Sequence, residues 1–315
     1  MRLSLLLIIL FSKIAFAQNL NKSERVCSDT LPKKFILDKD KLRDHIFKGI
    51  PYSIRTGEYS RRALNFAHTN ACRVSDYISS GIVYSDWDEL ETYLNNILQK
   101  VMPPELKNDS VIHAYVVRDG SYNAGMAATG HIFVNIGLLA EVPDEATIAG
   151  ILSHELGHYY FKHSLYDFLA EEAGEFDGGI FATGRPESKF SVKNETQADS
   201  VAAVWLQKSG YSLEGLVSAF KTMNRIDRNY IKQLPNEWTL KETTHPLSEK
   251  RLATLYDFYN KSKEHLGKNF LVDEALFYKL KEEVKPEILK SLLCDFSYND
   301  CIQNAFKYHL FDPDN

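Results

Sequence analysis

Ile148-Ala149-Gly150-Ile151-Leu152-Ser153-His154-Glu155-Leu156-Gly157-His158 is the stretch on which the reading of this chain turns. Its apolar and small residues predict a buried helix, and that helix carries the pattern His-Glu-x-x-His. Residues at i and i+4 lie one turn apart on one helix face, so the rings of His154 and His158 can converge on one cation. Glu155 projects toward the same point, one residue round from His154. Two imidazole ligands, with a carboxylate able to take a proton from the metal-bound water, form the donor set of a zinc hydrolase. One zinc ion per chain is the favoured cofactor for such ligands.

A catalytic zinc needs three protein ligands and one open position. Phe161 and Ser164 stand where the metzincin pattern requires a glycine and a third histidine, so that continuation is excluded. His163 is out of phase with the ligand pair on a continuous helix and reads as non-ligating. Glu195, 37 positions after His158, is the better third ligand. Asp199 follows four residues later on the same face of a helix that Asn194 is read as opening. A carboxylate there can accept from the far ring nitrogen of a ligand histidine and fix its tautomer. The alternative is a solvated helix start, where the dipole favours acidic residues.

With 315 residues, 44% hydrophobic and 25% charged, the chain can bury the core of an ordinary globular protein. A net charge of −5 without a basic run argues against nucleic acid as a partner. Residues 1–17 read as an export signal: Arg2, the apolar run from Leu3 to Phe11, and Ala15-Phe16-Ala17 as a small-x-small cleavage site. An uncleaved anchor is the alternative. Cleavage would remove Arg2 and Lys13 and take the charge from −5 to −7. No later segment approaches the ~20 apolar residues of a spanning helix. The mature chain is therefore expected to lack a transmembrane segment and to be exported, most simply to a bacterial periplasm, with membrane-surface association left open. Four cysteines fit an oxidising compartment. Cys294–Cys301 with Cys27–Cys72 is the simplest of three pairings, and four free thiols are the alternative.

The stripe Leu90, Leu94, Ile97, Leu98 predicts a helix capped by Ser85 or Asp86 and stopped by Pro103-Pro104. Val111 to Val117 and Gly130 to Val134 read as strands, and Gly137-Leu138-Leu139 begins a short helix. Pro143-Asp144 starts the helix of the opening stretch, which is expected to run to about His163. Glu171 to Lys193, rich in glycine, reads as a long loop that is either a lid or simply loose. Residues beyond Lys261 are helical by pattern.

His154-Glu155-x-x-His158, Glu195-x-x-Ala198-Asp199, and His245-Pro246 with Arg251 resemble the motif set of gluzincin metallopeptidases of the CAAX-prenyl-protease and HtpX type, the M48 peptidase family. Asn123-Ala124, Gly130 to Val134 and Gly137 to Leu139 resemble the segment preceding that family's metal helix. The resemblance runs from about Val111 to Tyr259, near half the chain. It implies a zinc-dependent endopeptidase with Glu155 as general base. It gives His245 a catalytic role as oxyanion donor, or alternatively as a fourth ligand that closes the site. Arg251 is read as orienting the His245 loop through a carboxylate partner, or as an ordinary surface ion pair. The strand Gly130, His131, Ile132, Phe133 is read as the edge along which substrate pairs, with a plain core strand as the alternative. The resemblance is to the soluble, exported branch, so the substrates implied are unfolded or misassembled envelope proteins. An inactive or self-plugged member acting as a chaperone or adaptor is the second reading.

These readings give an α+β, mostly α-helical fold. A zincin-like metallopeptidase domain over residues 105–260 is expected to hold a small sheet whose edge strand borders the active-site helix. An N-terminal helical segment (18–104) precedes it, and a helical C-terminal extension (261–315) follows.

Overall fold

The computed structural model describes residues 32–172, 189–233, 249–261, 269–294 and 296–311. A short 3-10 turn leads into α1 (Lys39–Gly49), α2 (Tyr52–Thr56), α3 (Ser60–Ser79) and α4 (Asp88–Val101). Then come β1 (His113–Val117), β2 (Ala124–Met126), β3 (His131–Asn135), α5 (Ile136–Glu141), α6 (Glu145–Tyr160) and α7 (His163–Glu172). The chain continues through α8 (Lys189–Ser209), α9 (Glu214–Gln233), α10 (Glu249–Lys261), α11 (Glu274–Cys294) and α12 (Tyr298–Phe311). The result is mostly helical with one small sheet, as expected from the sequence.

The apolar stripe of α4 is buried, but the residue before the helix is Trp87 and no side chain caps it. Ser85 and Asp86 therefore do not serve as its cap. Tyr84 and Trp87 instead turn inward and pack edge to face at 5.1 Å.

The three strands lie in the order β1-β3-β2. β1 pairs parallel with β3, and β2 pairs antiparallel with β3 in the register Gly125↔Phe133. This overturns one expectation. The strand holding His131, Ile132 and Phe133 is central, with both hydrogen-bonding edges occupied, and Gly130 immediately before it makes the turn from β2 with φ 94°. These residues offer no substrate edge. β1 and β2 are the outer strands, and β2 is the one that packs beside α6. On β3, Ile132 and Val134 face the main apolar cluster, while His131 and Phe133 stack on Tyr115 under α3.

α6 is buried on almost every side, so it shows no one-sided apolar stripe. Asp144 caps it by accepting from Thr147 N at 2.8 Å. Leu152 and Leu156 are fully buried, each contributing about 1.5–3 kcal/mol of burial. Glu145 in its first turn is also buried and accepts hydrogen bonds from the hydroxyls of Tyr93 (2.9 Å) and Tyr211. Helices α8 and α9 clasp α6 on two sides. A Cβ on Gly150 would meet the backbone of Leu216 at 2.9 Å, so α9 crosses at a point only glycine allows.

Two helix boundaries differ from expectation. α6 does not continue to His163: it ends at Tyr160, Lys162 takes a left-handed conformation (φ 57°), and α7 starts afresh at His163. α8 begins at Lys189, so Glu195 sits inside the helix rather than at its start. Of the loop expected over 171–193, residues 173–188 lie outside the described residues.

α11 contributes Phe277, Leu280, Val284 and Ile288 to the main apolar cluster. The expected Cys294–Cys301 disulfide is not formed. Cys301 is buried at the start of α12 with its Sγ directed at Leu289 O (3.6 Å), whereas Cys294 is exposed at the end of α11. Cys72 is likewise a free thiol, and Cys27 and the proposed signal segment lie outside the described residues.

Candidate metal centre

His154 and His158 leave the same face of α6, and Glu195 reaches across from α8. One donor atom from each of the three lies within 4.8 Å of the other two. The two Nε2 atoms are 3.0 Å apart, and each stands 3.4 Å from one Glu195 carboxylate oxygen. Both histidines and the glutamate are buried or half-buried. Two imidazole nitrogens and a carboxylate oxygen facing one point fit a zinc ion by donor chemistry.

Asp199, one turn beyond Glu195, places Oδ1 2.9 Å from His154 Nδ1. Arg251 of α10 is fully buried and binds Asp199 through two parallel hydrogen bonds of 2.8 Å, from Nε to Oδ2 and from Nη2 to Oδ1. Its Nη1 reaches Glu195 at 2.9 Å, and its guanidinium lies 4.6 Å over the Phe220 ring. This is a buried ion cluster with a planar fork matched to a carboxylate, not a surface pair. Burial alone would raise the Asp199 carboxyl, but Arg251 and His154 hold it below the usual carboxylate range. Burial pushes His154 down, yet the Asp199 and Glu195 carboxylates outweigh it and lift this ring to about 10. Within the cluster Arg251 and His154 offset the charges of Asp199 and Glu195.

The family model described as Peptidase family M48 matches residues 88–177 and 180–258, together more than half of the chain. The chain belongs to peptidase family M48. It is similar to metalloprotease YcaL of Escherichia coli (strain K12), 26% identical over 168 residues that cover 48% of this chain and 63% of that one. It is also similar to mitochondrial metalloendopeptidase OMA1 of Schizosaccharomyces pombe, at 24% identity over 53% of this chain and 52% of the other. The beta-barrel assembly-enhancing protease of Escherichia coli (strain K12) matches at 21% over 52% of this chain and 38% of its own. The chain spans less than two thirds of the length of these curated relatives.

In this M48 chain the fold brings to the centre one residue, His163, that helical phase alone would exclude. His163 Nδ1 lies 2.9 Å from His158 Nδ1, and His163 Nε2 lies 3.2 Å from Gln197 Oε1 on α8. His163 is buried, and burial lowers its pKa against the opposing pull of Gln197. It is not in phase with the ligands on a continuous helix. The left-handed turn at Lys162 is what re-aims it, and nothing in the local sequence marks that turn.

Glu155 is buried and lines a largely apolar cleft with Ala124, Ile151, Leu216, Phe220 and Met223. A second cleft lies by the other end of β2, where Met126 and Ala128 meet His158, Ile50 and Leu165. Asn123 and Ala127 bond to β3, with Asn135 N donating to Asn123 O and Ala127 N to His131 O. By antiparallel alternation, Ala124 and Met126 direct their backbone groups away from β3. His245 and Pro246 lie outside the described residues.

Proposed function

We propose that this chain is a zinc-dependent endopeptidase that hydrolyses unfolded or misassembled polypeptides of the compartment to which it is exported. The observation that carries this reading is the convergence of His154, His158 and Glu195 beside Glu155, next to the outward edge of β2. A zinc ion held by the three donors would supply Lewis acidity toward a peptide carbonyl and lower the pKa of water. Glu155 takes the proton of the attacking water and delivers it to the leaving nitrogen. Asp199 orients His154, and Arg251 holds Asp199 and Glu195 against their mutual repulsion. His245 is assigned the donor role toward the developing oxyanion.

An extended peptide adds to β2 through the backbone groups of Ala124 and Met126, a mode of recognition indifferent to sequence. Running antiparallel to β2, it places its amino-terminal half by Met126 and its carboxy-terminal half by Ala124. Glu155 then stands on the side where the new amine leaves. Export rests on the reading of residues 1–17; among the described residues no helix is long and apolar enough to cross a membrane.

The test is cleavage of casein with and without a chelator, followed by restoration with zinc. Chelation is expected to abolish turnover and zinc to restore it. Glu155→Gln is expected to retain zinc and lose about 10²–10⁴-fold in turnover. Cleavage that survives chelation would overturn the proposal.

A further inference from the structure

The two histidines of the centre are backed in different ways. His154 meets a carboxylate, Asp199, whereas the far nitrogen of His158 meets another imidazole. We propose that His163 and Gln197 are positioning residues that form a neutral relay, fixing His158 as the Nδ1–H tautomer with its Nε2 lone pair facing the cation. This rests on the reading that His154, His158 and Glu195 hold a metal ion.

Two ring nitrogens 2.9 Å apart share one proton, because two lone pairs repel and two protons collide. The Gln197 carbonyl oxygen only accepts, so His163 carries its proton on Nε2. A neutral ring with Nε2–H has a bare Nδ1, which then accepts from His158 Nδ1–H. His158 Nε2 is left bare, as a metal ligand requires. That nitrogen stands 3.4 Å from Glu195 Oε1 and 3.0 Å from His154 Nε2. The second of these contacts also needs one bare nitrogen, and His154, placed between two carboxylates, is the partner that carries the proton.

A neutral relay has a reason here. Glu155, Glu195 and Asp199 already bring three carboxyl groups into one buried region, against the Arg251 guanidinium and the protonated His154 ring. A carboxylate behind His158 would add a further buried charge without a partner, which is costly. An imidazole handing its polarity to an amide fixes the tautomer at no cost in charge. The device depends on the broken helix: only because Lys162 is left-handed does His163 face back onto His158.

The decisive measurement is long-range ¹H–¹⁵N correlation of the histidine side chains in the metal-free full chain, which reads the tautomer directly. His158 is expected as Nδ1–H; His158 as Nε2–H overturns the relay. A second measurement is the zinc dissociation constant, by competition with a chromophoric chelator. His163→Ala is expected to weaken zinc binding by about 10- to 100-fold, and so is Gln197→Met, which removes the acceptor. A purely structural role would lower the melting temperature of the metal-free variants and leave zinc affinity unchanged, and that outcome overturns the proposal. If wild-type protein itself fails to bind zinc, the metal reading falls and the relay with it. Tight wild-type binding with unaffected variants removes the relay alone.

Discussion

A Cβ placed on Gly157 would stand 2.9 Å from the Cα of Ala198. The helix carrying both histidines and the helix carrying Glu195 and Asp199 therefore touch backbone to backbone, and this contact sets the reach of Glu195. A methyl group at Gly157 cannot be accommodated by rotating a side chain, because the neighbour is main chain. Gly157→Ala is expected to cost about 1–3 kcal/mol, the range for overpacking a tight interior. It is also expected to weaken zinc binding by pushing Glu195 away from the histidines. Thermal melts with and without zinc check both effects. An unchanged zinc-induced shift in melting temperature would show that the helix spacing does not govern the ligand set.

Arg251 is the charge balance of the centre. Removing it leaves Asp199 and Glu195 buried together with only the His154 ring to offset them. Arg251→Met is expected to destabilise the metal-free protein by about 3–5 kcal/mol, read as the denaturant midpoint. Arg251→Lys is expected to recover only part of this, since an ammonium cannot make the two parallel bonds to Asp199. A lysine variant as stable as wild type would reduce the role of Arg251 to that of a point charge.

Metal binding is expected to release a proton. In the metal-free chain the His154 ring is held charged, with its pKa lifted to about 10, and a bound cation must displace that proton. Apparent zinc affinity should therefore rise with pH between about 6 and 9, an interval below that value. Calorimetry in buffers of different ionisation enthalpy should give about one proton released per ion. The linkage for the metal-free fold runs the other way. A folded-state pKa above the unfolded value of about 6.5 gives stability that is full below that pH and is lost as pH rises toward 10. Binding heats that do not depend on the buffer would contradict the charged ring.

His131 supplies an acid-side expectation. It is buried under α3 beside Tyr115, with Nδ1 2.8 Å from Thr129 Oγ1, and burial brings its pKa down to about 4. Its folded pKa lies below the unfolded value, so its contribution is present above about pH 6.5. That contribution is lost as pH falls toward 4, amounting to about 3 kcal/mol at most. Denaturant midpoints of wild type and His131→Asn across this window check it. The variant should show a shallower slope, and parallel slopes would exclude His131 as the source.

The edge of β2 can be tested without disturbing the sheet. The N–H of Met126 points away from β3, so proline there removes a donor from the substrate side and none from the ladder. Met126→Pro is expected to fold, by circular dichroism, and to lose about tenfold in kcat/KM for an extended peptide, near the 1.4 kcal/mol that one hydrogen bond contributes. Retained kcat/KM would place substrate on another surface.

The sequence by itself determined the donor types and their order. His-Glu-x-x-His on an apolar stretch places two candidate ligands on one face through helical periodicity alone. Glu195 and Asp199 share a face by the same rule, even though their helix starts at Lys189 rather than Asn194. Those relations are local, so spacing carries them. Three features were decided only by the tertiary structure, because each depends on what lies alongside. β2 rather than β3 is an edge, since strand order in a sheet depends on pairing between distant segments. Arg251 is buried against Asp199 and Glu195 rather than at the surface, because α10 packs on α8. His163 meets His158 because a single left-handed residue breaks a helix whose apolar pattern would have carried on.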